Sequence, residues 1–363
     1  MSKLTDILEP NNLRLAFSVY NFGKDVAEDL SFVRTLWRGL GPAGRNDTVD
    51  IPKDLFPTSR PLAAPSLVGK RIGLVSSGGS GATASLCGIR RAFEDAGLEV
   101  SAISACAGSV LFASLWACGL SADEMARFWL SLPTRGYVDP AWGSILRAPW
   151  RRFGGFGGLL RGEAVERSFR ALLGERTLGE TKIPFSAVVW NIDRNRVEYL
   201  STRRTPALAV ARAARIAISI PIMVEPVRMG ENYYGDGGIV DIFPVQPLLD
   251  EQLDVVLGLN CYLPEAFGGE DITGWYDRPW SILRASGQLR YATYLELARD
   301  HVRQLGSRLT LLDPVPYEEV RGAKFYQSFL DRRSWPRFMQ LGYEAGRQAL
   351  ARLGQEGTIL TAA

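Results

Sequence analysis

The chain has 363 residues, 46% of them hydrophobic and 22% charged, with Lys+Arg 42 against Asp+Glu 39. That length buries a core without disulfide or metal staples, and a formal net charge of only +3 supplies no basic field for nucleic acid. The single histidine, His301, excludes a multi-histidine metal site, and Cys87, Cys106, Cys118 and Cys261 form no CxxC pair or zinc-type cluster, so no cofactor is expected.

The N-terminus, MSKLTDILEPNN, has no apolar core of a secretory signal. With so few scattered thiols, this predicts a reducing, cytoplasmic setting. The longest apolar run, Ser109–Leu120, is too short to span a bilayer of ~30 Å and reads as a buried helix. Residues 1–66 read as an extension, with one or two helices in Leu13–Leu40 and a linker carrying Pro52, Pro57, Pro61 and Pro65.

At Arg71 the pattern changes. RIGLVSS is a short strand that runs into Gly78-Gly79-Ser80-Gly81. Leu86, Ile89, Ala92, Phe93 and Ala96 then recur at helical spacing, and Gly97 stops the helix. LEVSAIS (98–104) follows as a second strand, and an apolar helix begins after Cys106-Ala107-Gly108-Ser109. Two strand–loop–helix units in succession predict an α/β fold with a mostly parallel sheet. Further strands are expected at Phe185–Trp190, Arg196–Leu200 and Asp254–Asn260, and amphipathic helices at Pro279–Leu305 and Pro336–Leu353. Residues 67–350 form the main domain and 351–363 a tail, with no internal repeat.

Two loops carry chemistry. In Ser76–Thr83 (SSGGSGAT) the glycines admit a ligand close to the backbone, and N–H groups at the helix start hold negative charge. The same pattern suits a nucleotide phosphate or a bare turn, although a dinucleotide fingerprint would need glycine where Ala84 stands. In Ile103–Ser109 (ISACAGS) a strand ends at one apical residue, and small residues lead into a helix. That is the layout of a nucleophile elbow with Cys106 at the apex, or of a buried cysteine packed at a strand–helix joint.

Taken together, the segments resemble the patatin-like phospholipase family over about residues 70–350. The resemblance rests on Gly78-Gly79-Ser80-Gly81, the helix Gly88–Ala96, Ser104-Ala105-Cys106-Ala107-Gly108, and the run from Ile218-Ser219-Ile220-Pro221 to Asp236-Gly237-Gly238. Gly162–Gly179 and Leu341–Gly346 also look like family segments, whereas residues 1–66 lie outside it. The resemblance implies a three-layer α/β/α fold, an oxyanion hole at Gly78, Gly79, Ser80 and Gly81, and a catalytic dyad of Cys106 and Asp236 that needs no histidine. The departures are equally specific. Cys106 replaces the family's elbow serine and Ser104 its preceding glycine, while Ser80, Ala82 and Thr83 stand where the loop usually has glycine, arginine and glycine.

The expected chemistry is therefore acyl-ester hydrolysis or acyl transfer on a lipid ester or acyl thioester. Asp236 would deprotonate Cys106, whose thiol (pKa ~8.5) yields its proton far more readily than a serine hydroxyl. An acyl-thioester intermediate is activated toward amine or thiol acceptors, which tilts the balance toward transfer. Two alternatives stand beside this reading. One is a triad Cys106–Asp236–His301, against which His301 lies in a helical stretch and reads as a packing residue. The other is a degenerate scaffold that binds a lipid or protein partner. Arg147, Arg151, Arg152 and Arg161, interleaved with aromatics and glycines, read as a lid, a peripheral contact with anionic lipid, or an ordinary solvated loop. The turn Gly274–Trp280 reads as core aromatics or as a wall of the acyl pocket.

Overall fold

Every residue of the strand Ile72–Ser76 is buried, as befits an inner strand of a parallel sheet covered on both faces. A computed structural model provides the coordinates and describes residues 47–57, 61–147, 150, 156–261, 295–320 and 323–359. Its strands are β1 (Ile72–Ser76), β2 (Ala102–Ala105), β3 (Gly158–Leu160), β4 (Phe185–Asn191) and β5 (Arg196–Ser201). They continue with β6 (Ile222–Val224), β7 (Val227–Met229), β8 (Asn232–Asp236), β9 (Val255–Leu259) and β10 (Leu309–Leu312). The first helices are α1 (Ser85–Ala96), α2 (Val110–Ala117), α3 (Ala122–Ser131), α4 (Trp142–Arg147) and α5 (Glu163–Leu173). After them come α6 (Val210–Ala217), α7 (Gln246–Leu249), α8 (295–305), α9 (Ala323–Leu330) and α10 (Trp335–Ile359).

Among the described residues the main sheet has the order β10-β9-β1-β2-β4-β8-β7, with β5 also on β4. From β10 through β4 every pairing is parallel, and β5, β8 and β7 join antiparallel. β3 and β6 form a separate parallel pair. The α/β class and mostly parallel sheet expected from the sequence are present.

Side chains alternate across each strand, so each strand feeds two cores. Leu74, Ile103, Ala105, Ala187, Val189 and Leu257 point into the larger core, with α1, α2, α5, α6 and α10. Val75, Ala102, Val188 and Val256 point into a smaller one, completed by Ile242, Phe243, Leu248 and the α8 residues Leu295, Ala298 and Leu305. Cys106 belongs to the smaller core. On the larger side α1 and α10 touch backbone to backbone: a Cβ on Gly88 would lie 1.8 Å from Met339 O, and one on Gly342 2.1 Å from Ser85 O.

The expected strand at 98–104 begins only at Ala102. Gly97 adopts φ +62° to end α1, and the N–H of Leu98 bonds back to Phe93 O, so the chain needs 98–101 to return to the sheet. The last helix runs past its expected end to Ile359. The expected helices in Leu13–Leu40, the first part of Pro279–Leu305, the turn Gly274–Trp280, and Arg151 and Arg152 lie outside the described residues.

Candidate active site

Cys106 and Asp236 are brought together by one strand. β5 lies along one edge of β4, from Ser186 to Asn191. The other edge is shared end to end by β2, which finishes with Ala105 opposite Ala187, and by β8, which finishes with Asp236 opposite Val189. Because β2 runs parallel and β8 antiparallel to β4, their C-terminal ends meet head on. Cys106 leaves one end and Asp236 closes the other. A Cβ on Gly238 would sit 3.1 Å from Asp236 Oδ1 and 3.3 Å from Cys106 Sγ, so both side chains border the same glycine.

The elbow is strained where the chain turns. Cys106 is extended (φ −133°, ψ 160°), and Ala107 then adopts φ +48° before the chain enters a short 3₁₀ turn and α2. A left-handed alanine costs ~1–2 kcal/mol, and such strain concentrates at functional sites. Its neighbours require small side chains: a Cβ on Gly78 would stand 3.0 Å from Cys106 Sγ and 3.2 Å from Ala107 Cβ.

The glycine loop lies over the elbow, and a Cβ on Gly108 would meet Gly79 O at 2.3 Å. Two of the four candidate N–H donors are already engaged. Gly78 N–H donates to Ile242 O (3.1 Å) and Gly81 N–H to Ser328 Oγ (3.2 Å). No described residue accepts from the N–H of Gly79 or Ser80. The family departures are accommodated locally. Ser104 Oγ donates to Pro244 O (2.6 Å), Thr83 Oγ1 donates to Ser80 O (2.6 Å), and Ala82 is buried.

Cys106 is wholly buried, and its thiol donates to the carbonyl of Ile242 at 3.1 Å. Burial drives its pKa well above the ordinary thiol value. The nearby carboxylates of Asp236 and Asp241 push the same way, and the Gly78 N–H opposes them. Asp236 is also buried, and desolvation raises its carboxyl to about 7 against the hydrogen bond from Gly238 N–H (2.7 Å). A carboxyl near 7 exchanges a proton close to neutral pH, which suits general-base work.

The structure places one further ionisable group, Asp241, near the thiol, and a second, His301, beside Asp241. Asp241 is buried, with Oδ2 accepting from the Tyr199 hydroxyl (3.1 Å) and Oδ1 standing 3.5 Å from His301 Nδ1. His301 Nδ1 is 2.6 Å from Phe243 O, so it carries the proton and donates, because a carbonyl only accepts. His301 thus bonds the main chain next to Cys106's own acceptor and stands by Asp241, as a buried helical residue. Sequence reasoning missed Asp241, although a charge inside the apolar run IVDIFP is a signal that could have found it. Among the described residues no cluster of His, Cys, Asp and Glu can hold a metal ion.

Residues 74–249 match the family model described as patatin-like phospholipase. The chain is 24% identical over 164 residues to the uncharacterized protein R571 of Acanthamoeba polyphaga mimivirus, covering 45% of this chain and 54% of that protein. To lysophospholipase NTE1 of Cryptococcus neoformans it is 23% identical over 343 residues, covering 90% of this chain and 19% of that protein. The chain therefore spans about half of one of these relatives and about a fifth of the other. Among solved structures it is similar to VipD from Legionella pneumophila at TM-score 0.47 and 16% identity, over 83% of this chain and 72% of that one.

Proposed function

From the premise that the chain belongs to the patatin-like phospholipase family, we propose that it is an acyl-ester hydrolase or acyltransferase acting on a lipid ester or acyl thioester. Cys106 is the nucleophile and Asp236 its base. Sγ attacks the acyl carbonyl carbon, the thiol proton passes to Asp236, and the tetrahedral oxyanion is held by the unengaged N–H groups of Gly79 and Ser80. Collapse expels the alcohol or thiol, which takes the proton from Asp236 and leaves an acyl-thioester on Cys106. Water, or an acceptor amine or thiol, then attacks the thioester and regenerates the enzyme.

The observation that carries this reading is the meeting of Cys106 and Asp236 at the abutting ends of β2 and β8. Intact-protein mass spectrometry after exposure to phospholipids, acylglycerols and acyl thioesters tests it. An acyl adduct that disappears in Cys106→Ala supports the reading, and an adduct that persists in that variant refutes it.

One observation favours a second reading, a scaffold that binds lipid without turning it over: the thiol is fully buried and held neutral. That reading predicts lipid binding with no adduct on any residue.

We also propose that the protein meets anionic membrane surfaces peripherally, at the end of α4. Leu146 (64% exposed) and Trp150 (85%) stand out there beside Arg147, and Arg151 and Arg152 follow in sequence. No helix among the described residues is long and apolar enough to cross a membrane.

A further inference from the structure

We infer that His301 is a positioning residue for Cys106, acting through the main chain of Asp241–Pro244; the inference rests on the nucleophilic role of Cys106. This segment has no regular structure of its own, and bonds from several directions hold it in place. Ile242 O accepts from both Cys106 Sγ and Gly78 N–H, each at 3.1 Å. Pro244 O accepts from Ser104 Oγ at 2.6 Å, which ties the segment to the C-terminal end of β2. Asp241 N–H donates to Gly237 O (2.9 Å), next to the proposed base. The nucleophile, the oxyanion loop and the residue that follows the base thus all fasten to these four residues.

From the helical layer, His301 supplies the side chain that fixes this segment. Its ring is buried in α8 and donates from Nδ1 to Phe243 O, one residue beyond the carbonyl that holds the thiol. The same ring faces Asp241 Oδ1 at 3.5 Å, on a buried carboxylate that the Tyr199 hydroxyl and the Phe243 N–H also support. A buried carboxylate that loses such a neighbour carries a large desolvation penalty. Without His301 the Phe243 carbonyl keeps the N–H of Val245 (2.9 Å) but loses its tie to the helical layer. The Ile242–Phe243 peptide then shifts, and Ile242 O moves relative to the sulfur. Reacting atoms misplaced by about an ångström lose roughly a hundredfold in rate, with little effect on binding of the rest of the substrate.

The test compares His301→Leu, His301→Asn and Cys106→Ala in hydrolysis of a p-nitrophenyl ester, alongside thermal unfolding of each. The Asn amide nitrogen takes the place of Nδ1 and can still donate to Phe243 O, whereas Leu cannot. We expect His301→Leu to lose about tenfold or more in kcat with KM within about twofold, and His301→Asn to recover most of that loss. Wild-type kcat in His301→Leu overturns the inference. So does a fall in both His301 variants that tracks only the loss of folded protein, because packing alone would then explain it. If His301→Leu does not fold, His301→Met takes its place, since a thioether fills the site but donates no hydrogen bond. Cys106→Ala separates the two levels of the argument. Turnover surviving in that variant refutes the nucleophile assignment itself. Turnover lost there but intact in His301→Leu refutes only the positioning role.

Discussion

The thiol of Cys106 gives its hydrogen bond to the main-chain carbonyl of Ile242, 3.1 Å away and 136 residues further along the chain. The resting nucleophile is therefore a neutral thiol parked on a neutral acceptor, although two buried carboxylates lie near it. Such an arrangement is stable because a thiolate here would be both desolvated and repelled. In the proposed chemistry the sulfur leaves Ile242 O as its proton moves to Asp236, and the negative charge passes on to the oxyanion, where N–H groups stand free.

Asp236 carries a pH signature in stability as well as in activity. Its carboxyl sits at about 7 when folded, against 3.8 ordinarily, so the folded state holds the proton more tightly than the unfolded chain. This contribution is present in full below the ordinary carboxylate pKa and is lost as pH rises through about 7. Linkage puts the loss between pH 5 and pH 8 at about 2–3 kcal/mol. Asp236→Asn cannot ionise and still accepts from Gly238 N–H. Urea unfolding at both pH values should show the variant lacking that decline, more stable than wild type at pH 8, and without ester turnover. A variant that keeps the wild-type slope would show that Asp236 is not the titrating group.

Asp241→Asn removes a like charge near the thiol. The pH profile of Cys106 alkylation by iodoacetamide, followed by mass spectrometry of the Cys106 peptide, should move to lower pH. An unmoved profile would mean the Asp241 charge does not reach the sulfur.

Gly108 and Gly97 separate local strain from damage to the site. Gly97→Ala meets open space and suffers only from its φ of +62°, at a cost of about 1–2 kcal/mol with activity retained. Gly108→Ala drives a methyl to 2.3 Å from Gly79 O, which belongs to the oxyanion loop backbone. We expect it to lose roughly 1–3 kcal/mol and most of its turnover. Denaturant titration paired with an ester assay checks both variants, and full activity in Gly108→Ala would contradict the close packing of loop on elbow.

The surface at the end of α4 makes its own prediction. Replacing Leu146 and Trp150 together by serine removes two exposed apolar side chains, each worth more than about 1 kcal/mol of burial in a membrane interface. Co-sedimentation with anionic vesicles should weaken by about tenfold or more, while soluble-ester turnover stays unchanged. Undiminished sedimentation would remove this surface from the membrane proposal.

Much of the site was legible in local pattern. The run RIGLVSS, the glycines after it, the helical spacing of Leu86, Ile89 and Phe93, and the small residues around Cys106 each report the backbone they occupy, because turn geometry and helix periodicity are short-range properties. Asp236 came from the resemblance, since Asp-Gly-Gly alone does not say what it faces. The engagement of Gly78 and Gly81 was not legible. Their acceptors, Ile242 and Ser328, lie far along the chain, and a glycine-rich loop looks the same with its N–H groups free or occupied.

Composition and periodicity alone thus determined an α/β chain with a strand–glycine loop–helix unit, a cysteine at an elbow, and a lone histidine in a helix. Those follow from side-chain alternation, backbone sterics and simple counting. Only the tertiary structure decided that β2 and β8 share one edge of β4, which brings Cys106 to Asp236. It alone set Asp241 and His301 against the segment that holds the thiol, and it buried the whole arrangement. Pairings between residues far apart in the chain depend on sheet order and desolvation, and neither is written in any local stretch of sequence.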